Sequence, residues 1–277
     1  MFLHKQWDDF CKILSKKGLT NLTASMLLNE KPDSQFVLLK HDVETNPKKA
    51  LYLALIENKY SLIGTYYVQA YLLNSSKNIA VLKRIQELGH EVSYHHDVMD
   101  SNKGDILKAV NEFQRNVEIF EHYGFSVQTV CQHGNPVVER RGYTSNRDFF
   151  RDTNIAARYK HITEIMVNFK PRLGREYKYI SDAGYGWKII YDPEKNDIVN
   201  SDDKNITLDT LDDVLGVMEN GSSVILSTHP HRWNSNAIIA KTKNAVFKGI
   251  KAMAKTMLQI PFMKKLMERF YYLAKKL

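Results

Sequence analysis

QFVLLKHDVE, residues 35–44, is an apolar run that stops abruptly at His41, Asp42, Val43 and Glu44. A buried strand ending in ionisable groups is how parallel α/β folds deliver chemistry to the rim of a sheet or barrel. Side chains alternate along a strand, so Asp42 and Glu44 fall on one face and His41 on the other. Two carboxylates on one face suit a metal ligand beside a general base. A strand end whose acids pair with or cap the next helix is the alternative reading of the same residues.

Outward from this strand, the pattern alternates. Asn46 and Pro47 make a cap and first-turn pair for a helix over 48–60. A strand at 62–68, a helix over 78–88 closed by Gly89, and a strand at 90–96 follow. A helix over 105–123 then precedes a strand at 127–131, which opens into Gln132, His133, Gly134, Asn135 and Pro136. Such alternation implies right-handed crossovers and a parallel sheet, an α/β architecture. Upstream, Phe2, Leu3, Trp7, Phe10, Cys11 and Leu14 have helical spacing, predicting a helix over 2–17 that covers one edge, while 20–32 carries no clear pattern. Downstream, 139–151 reads as a long polar loop, with a strand near 164–167. A strand at 178–181 leads to Asp182 and Trp187; a helix over 208–219 and a strand at 222–227 lead to Thr228, His229, His231, Arg232 and Trp233. Residues 1–237 form the expected domain, and 238–277 a separate basic amphipathic helical tail.

Most of these strands end in groups suited to chemistry: Asp42 and Glu44, then His95 and His96, then His133 and Asn135, then Asp182, then His229 and His231. With His41 included, six of the ten histidines sit at strand ends. Parallel strands bring their C-terminal ends to one rim, so these residues are expected to converge. One carboxylate and two histidines with an open position is the donor set of a catalytic zinc or a similar divalent cation.

Composition narrows the function classes. The two cysteines, Cys11 and Cys131, exclude a cysteine zinc knuckle and fit a reducing compartment. The start lacks the order of a cleavable signal, and no run of about 18 apolar residues exists to span a bilayer, so residence is expected in the cytoplasm. The net charge of +8 is unevenly placed: from residue 241 on there are ten Lys or Arg against Glu268 alone, while 1–240 is close to neutral. That asymmetry argues against nucleic acid as a partner of the main domain. In 241–277 the basic residues interleave with Val246, Phe247, Ile250, Met253 and Met257. This pattern describes either a helix packed on the core or one lying on an anionic membrane, peripheral at its inner face.

Taken in order, Asp42-Val43-Glu44, the run from Gly89 to His95, the segment from Asp182 to Trp187, and Leu226-Ser227-Thr228-His229 resemble the motifs of the polysaccharide deacetylase (NodB-like) family. The HDVE start, GHEVSYH, QHGNP and HPHRW are similar to its branch associated with surface-polysaccharide assembly. The resemblance implies a distorted, incomplete (β/α) barrel and a metal-dependent hydrolase that removes an acetyl group, N-acetyl ahead of O-acetyl, from a sugar or glycan precursor. Asp42 then matches the catalytic base and His229 the acid that protonates the leaving amine. Glu44 and His95 match metal ligands, with zinc the first expectation. Asp182 and Trp187 match the segment lining the pocket and orienting His229.

Two positions depart from the family pattern. Met99 stands where its second metal histidine belongs, and His133 is the expected replacement ligand. The family's arginine-containing motif is replaced by His133-Gly134-Asn135-Pro136. Asn135, His231 and Trp233 are expected to contact substrate, Trp233 by stacking on a sugar face. The acetylated acceptor is left open between a nucleotide sugar, a lipid-linked oligosaccharide and a polymer. A catalytically inactive, glycan-binding or scaffolding relative is the alternative.

Overall fold

The computed structural model describes residues 2–135, 138–182, 186–190, 206–243, 245, 246 and 249. Strand β2 (Phe36–Val43), the 35–44 stretch of the sequence, is buried along its whole length. Beside it run β1 (Thr20–Asn21), β3 (Gly64–Val68), β4 (Glu91–His96), β5 (Thr129–Gln132) and β6 (Thr163–Glu164). On the other side come β10 (Val224–Thr228) and β7 (Lys178–Ser181). The row β6-β5-β4-β3-β2-β10-β7 is parallel throughout. Strands β8 (Trp187–Ile190) and β9 (Ile206–Leu208) extend it antiparallel from β7. The ends of the parallel row, β6 and β7, do not pair among the described residues, so the barrel is incomplete.

The helices follow the expected periodicity. They are α3 (Pro47–Lys59), α4 (Ser76–Glu87), α6 (Ile106–His122) and α10 (Leu211–Glu219), each a crossover between strands. Asn46 makes no side-chain cap; it turns the chain through φ 36° into Pro47, which opens α3. Helix α1 (His4–Leu14) starts later than the predicted residue 2 because Leu3 is held in a parallel bridge to Asn234. The unassigned stretch holds α2 (Ala24–Glu30), capped by Thr23. The expected 139–151 loop contains α7 (Asp148–Arg151), with α8 (Thr153–Arg158) and α9 (Phe169–Leu173) after it, and α5 (Val98–Ser101) follows β4.

Alternation along β2 divides the core. Phe36 and Leu38 join Tyr67, Cys131, Tyr179 and Ile225, and α2 and α9 fill this side through Leu27 and Phe169. Val37 and Leu39 pack on the opposite side with Trp7, Leu53, Val214 and Trp233. Behind the strand, buried Glu57 accepts from Trp7 Nε1 (3.0 Å) and Tyr66 Oη (2.8 Å), with His41 Nε2 also 3.0 Å away. Gly64 is required there, since a Cβ would lie 2.8 Å from the Leu39 carbonyl and 3.1 Å from Glu57 Oε2. His41 and His90 are thus part of the outer packing and stand away from the rim. Residues 237–243 are helical; the expected basic tail beyond 249 lies outside the described residues. No described helix is long and apolar enough to cross a membrane.

Candidate active site

The C-terminal ends of β2, β4, β5, β7 and β10 meet at one rim. Alternation sends Lys40, Asp42 and Glu44 to the same face of β2, and the parallel register Ser227↔Lys40 brings the end of β10 alongside. Glu44, His95 and His133 each place a donor atom within 4.8 Å of the others. His133 Nδ1 stands 3.2 Å from Glu44 Oε1 and 3.2 Å from His95 Nε2. Donors about 2.0–2.1 Å from a tetrahedral zinc stand roughly 3.3 Å apart, so this spacing fits one shared divalent cation.

The protonation pattern also fits. His95 Nδ1 lies 3.0 Å from the Cys131 carbonyl, which only accepts, so Nδ1 carries the hydrogen and Nε2 turns its lone pair inward. Burial pulls the His95 pKa down to about 3, against the attraction of Asp42, and keeps the ring neutral as a ligand must be. For Glu44, burial pushes the carboxyl up, but His133, with His229 and His231, outweighs it and holds the group well below the ordinary glutamate range.

His133 is held from behind by contacts that local patterning does not reveal. Asn146 donates to the His133 carbonyl (2.8 Å) and to Asp100 Oδ2 (2.9 Å), while its own oxygen accepts from the backbone of Met99 and Asp100. Arg140 grips Asp100 with two bonds of 2.9 Å. Met99 itself is buried, in the outer-core cluster that also holds Val98, Phe113 and Phe149. The turn that bears it contributes through its backbone, by fixing Asn146.

Asp42 is paired with Lys40, whose Nζ lies 2.5 and 2.7 Å from its two oxygens and 3.1 Å from Ser227 Oγ. Burial alone would raise the Asp42 pKa, but Lys40, His95 and His229 together lower it. Sequence reading missed Lys40, although a lysine inside VLLKHDV on the acid face was the available signal.

Across the rim, His229 Nδ1 donates to Asp182 Oδ1 at 2.5 Å, and its Nε2 faces Asp42 (3.8 Å) and Glu44 (3.7 Å). Asp182 also accepts from the His229 backbone (2.9 Å) and from Arg232 (2.8 Å). Burial would raise its pKa, but Arg232 and then His229 hold it far below the usual aspartate range. Arg232 therefore serves Asp182. His231 lies 5.8 Å from the His229 ring with its buried Nδ1 unpaired, and burial lowers its pKa to about 3. Asn135 is buried, and its carbonyl accepts from Arg140 at 2.9 Å.

The expected stacking of Trp233 on a sugar and the expected place of Trp187 in the pocket lining are corrected. Trp233 is 0% exposed and packs edge-on against Trp7 and Phe2; Trp187 is 4% exposed and packs on Phe2 in the same cluster. Strand alternation and the entry of α1 turn both indoles into the helix-side core, so neither presents a face to a sugar.

No family model and no curated protein matches the chain. Among solved structures it is similar to a CE4 esterase of Streptococcus mutans, at 14% identity over 84% of this chain and 89% of that one, with a TM-score of 0.44. It is similar to a family 4 carbohydrate esterase of Streptomyces lividans in complex with acetate, at 15% identity over 79% and 90%, TM-score 0.41. A mutant of the peptidoglycan deacetylase PdaC of Bacillus subtilis matches at 13% identity over 82% and 98%, TM-score 0.39.

Proposed function

We propose that the protein is a metal-dependent carbohydrate deacetylase, hydrolysing an N-acetyl or O-acetyl group of a sugar or glycan. The observation that carries this reading is the meeting, at one rim, of the Glu44–His95–His133 donor set with Asp42 and the Asp182-supported His229. Motif order along the chain points the same way. A divalent cation, zinc first, held by Glu44, His95 and His133 supplies Lewis acidity that polarises an acyl carbonyl and makes water easier to deprotonate.

The protein's own groups do the proton work. Asp42, kept ionised by Lys40, accepts a proton from the attacking water as its oxygen adds to the acetyl carbon. His229 Nε2 gives a proton to the departing amine or hydroxyl as the carbonyl–leaving-group bond breaks, yielding acetate. Asp182 fixes the ring with Nδ1 as donor, so that Nε2 is the atom presented to substrate. The unpaired Nδ1 of His231 and the position of Asn135 fit contacts to substrate hydroxyl or acetamido groups.

The surface-polysaccharide setting, a cytoplasmic location and a lipid-linked substrate belong to the same proposal. Ile238 (74% exposed), Ile239 (49%) and Val246 (55%) stand in solvent beside Lys241 and Lys243, which favours docking of this end on an anionic membrane surface. Flotation with anionic vesicles tests that part, and equal flotation after truncation at residue 237 would remove it. The enzymatic reading is tested by acetate release from acetylated sugars by zinc- or cobalt-loaded protein. Asp42→Asn is expected to abolish release while metal content stays; release by neither loaded form on N- or O-acetylated sugars overturns the reading.

A further inference from the structure

Two donor groups share His95. One is Glu44, His95 and His133 at the rim; the other is Asp42, His95 and Cys131 beneath it, whose donor atoms likewise lie within 4.8 Å of one another. The lower set is buried at all three residues and includes a sulfur. Donor chemistry does not disqualify it, because a thiolate with an imidazole and a carboxylate is a good set for zinc or cobalt. A cation there would engage Asp42 and remove the base that the proposed deacetylation requires.

We propose that Lys40 is the residue that assigns the cation to the rim. Its ammonium is 1% exposed and holds both Asp42 oxygens, at 2.5 and 2.7 Å, with Ser227 Oγ at 3.1 Å as its third partner. The rings of Tyr67 and Tyr179 flank it at 5.6 and 5.9 Å. A fixed positive charge on both oxygens of Asp42 occupies the carboxylate of the lower set and repels a second cation from it. Among the described residues no lysine pairs with Glu44, whose near neighbours are His133 and His229. Lys40 thus acts as a positioning residue that keeps Asp42 off the metal and available to water. This inference rests on the metal-site reading above and adds the choice between two sites.

Cobalt(II) tests it without any substrate. Wild-type protein is expected to bind cobalt with visible ligand-field bands and no thiolate-to-cobalt charge-transfer band in the near ultraviolet. In Lys40→Met, which keeps the chain length and removes the charge, the charge-transfer band is expected to appear as the Cys131 thiol coordinates and its proton passes to solvent. Adding Cys131→Ser is expected to remove it again. Should Lys40→Met fail to fold, Cys131→Ser alone decides: cobalt affinity within about twofold of wild type supports the assignment, and a loss of ~tenfold or more overturns it. Cobalt uptake by both wild type and Lys40→Met with no charge-transfer band in the variant overturns this inference alone. No cobalt uptake by the wild type overturns the metal reading as well.

Discussion

His133 Nδ1 lies 3.2 Å from Glu44 Oε1, joining the end of β5 to the end of β2 across a rim where Met99 contributes no side chain. His133→Ala is therefore expected to lower zinc or cobalt affinity by ~100-fold or more. Met99→His, which places a histidine where the family that the sequence resembles carries one, is expected to leave affinity unchanged and to cost about 1–3 kcal/mol of stability, since residue 99 packs in the outer core. Titration calorimetry with metal and urea unfolding read the two effects. A gain of affinity in Met99→His would show that the turn can swing inward.

Asp182→Asn should leave metal content intact and lower kcat by ~10²–10⁴-fold, because His229 then loses the acceptor that sets its tautomer and position. Elemental analysis alongside acetate-release kinetics checks this. A variant that loses its metal instead would show that Asp182 acts through the rim as a whole.

Stability should decline in acid, and His96 supplies a measurable part. Its ring is enclosed by Phe113, Phe149 and Phe150, and burial, with His133, lowers its pKa from 6.5 to about 3. Between these values the unfolded chain binds the extra proton, so stability is lost as pH falls, at ~1.4 kcal/mol per pH unit for this group. His95 and His231 act in the same direction. Urea midpoints of wild type and His96→Phe, compared at about pH 7 and about pH 5, should show a shallower loss in the variant. Equal slopes would mean that His96 takes up its proton in the folded state.

Trp233→Ala is expected to act on stability, by about 3–5 kcal/mol, with KM for the folded enzyme little changed. Its indole fills the space between Trp7, Phe2 and Trp187, and deleting it leaves a cavity far from the acid face of β2. A large rise in KM without a loss of stability would return Trp233 to the substrate.

The amino-acid sequence by itself determined the alternation of strands and helices, the founding place of β2, and the gathering of acids and histidines at strand ends. These follow from period, turn residues and the parallel rule, each a property of a short stretch or of chain order. It also separated Asp42 and Glu44 from His41, since neighbours on a strand face opposite ways. Partnerships across the rim were decided by tertiary structure. The His133 carbonyl that helps set its reach to Glu44 is held by Asn146, itself bonded to Asp100, from a segment that carries no periodic signal. Lys40 reads as an isolated charge in an apolar run until the register of β10 places Ser227 beside it. Trp187 and Trp233 sit next to chemical motifs in sequence, yet the packing of α1 takes both into the core. Local pattern sets which face a side chain is on; the identity of what it meets depends on strand register and on loops returning from distant parts of the chain.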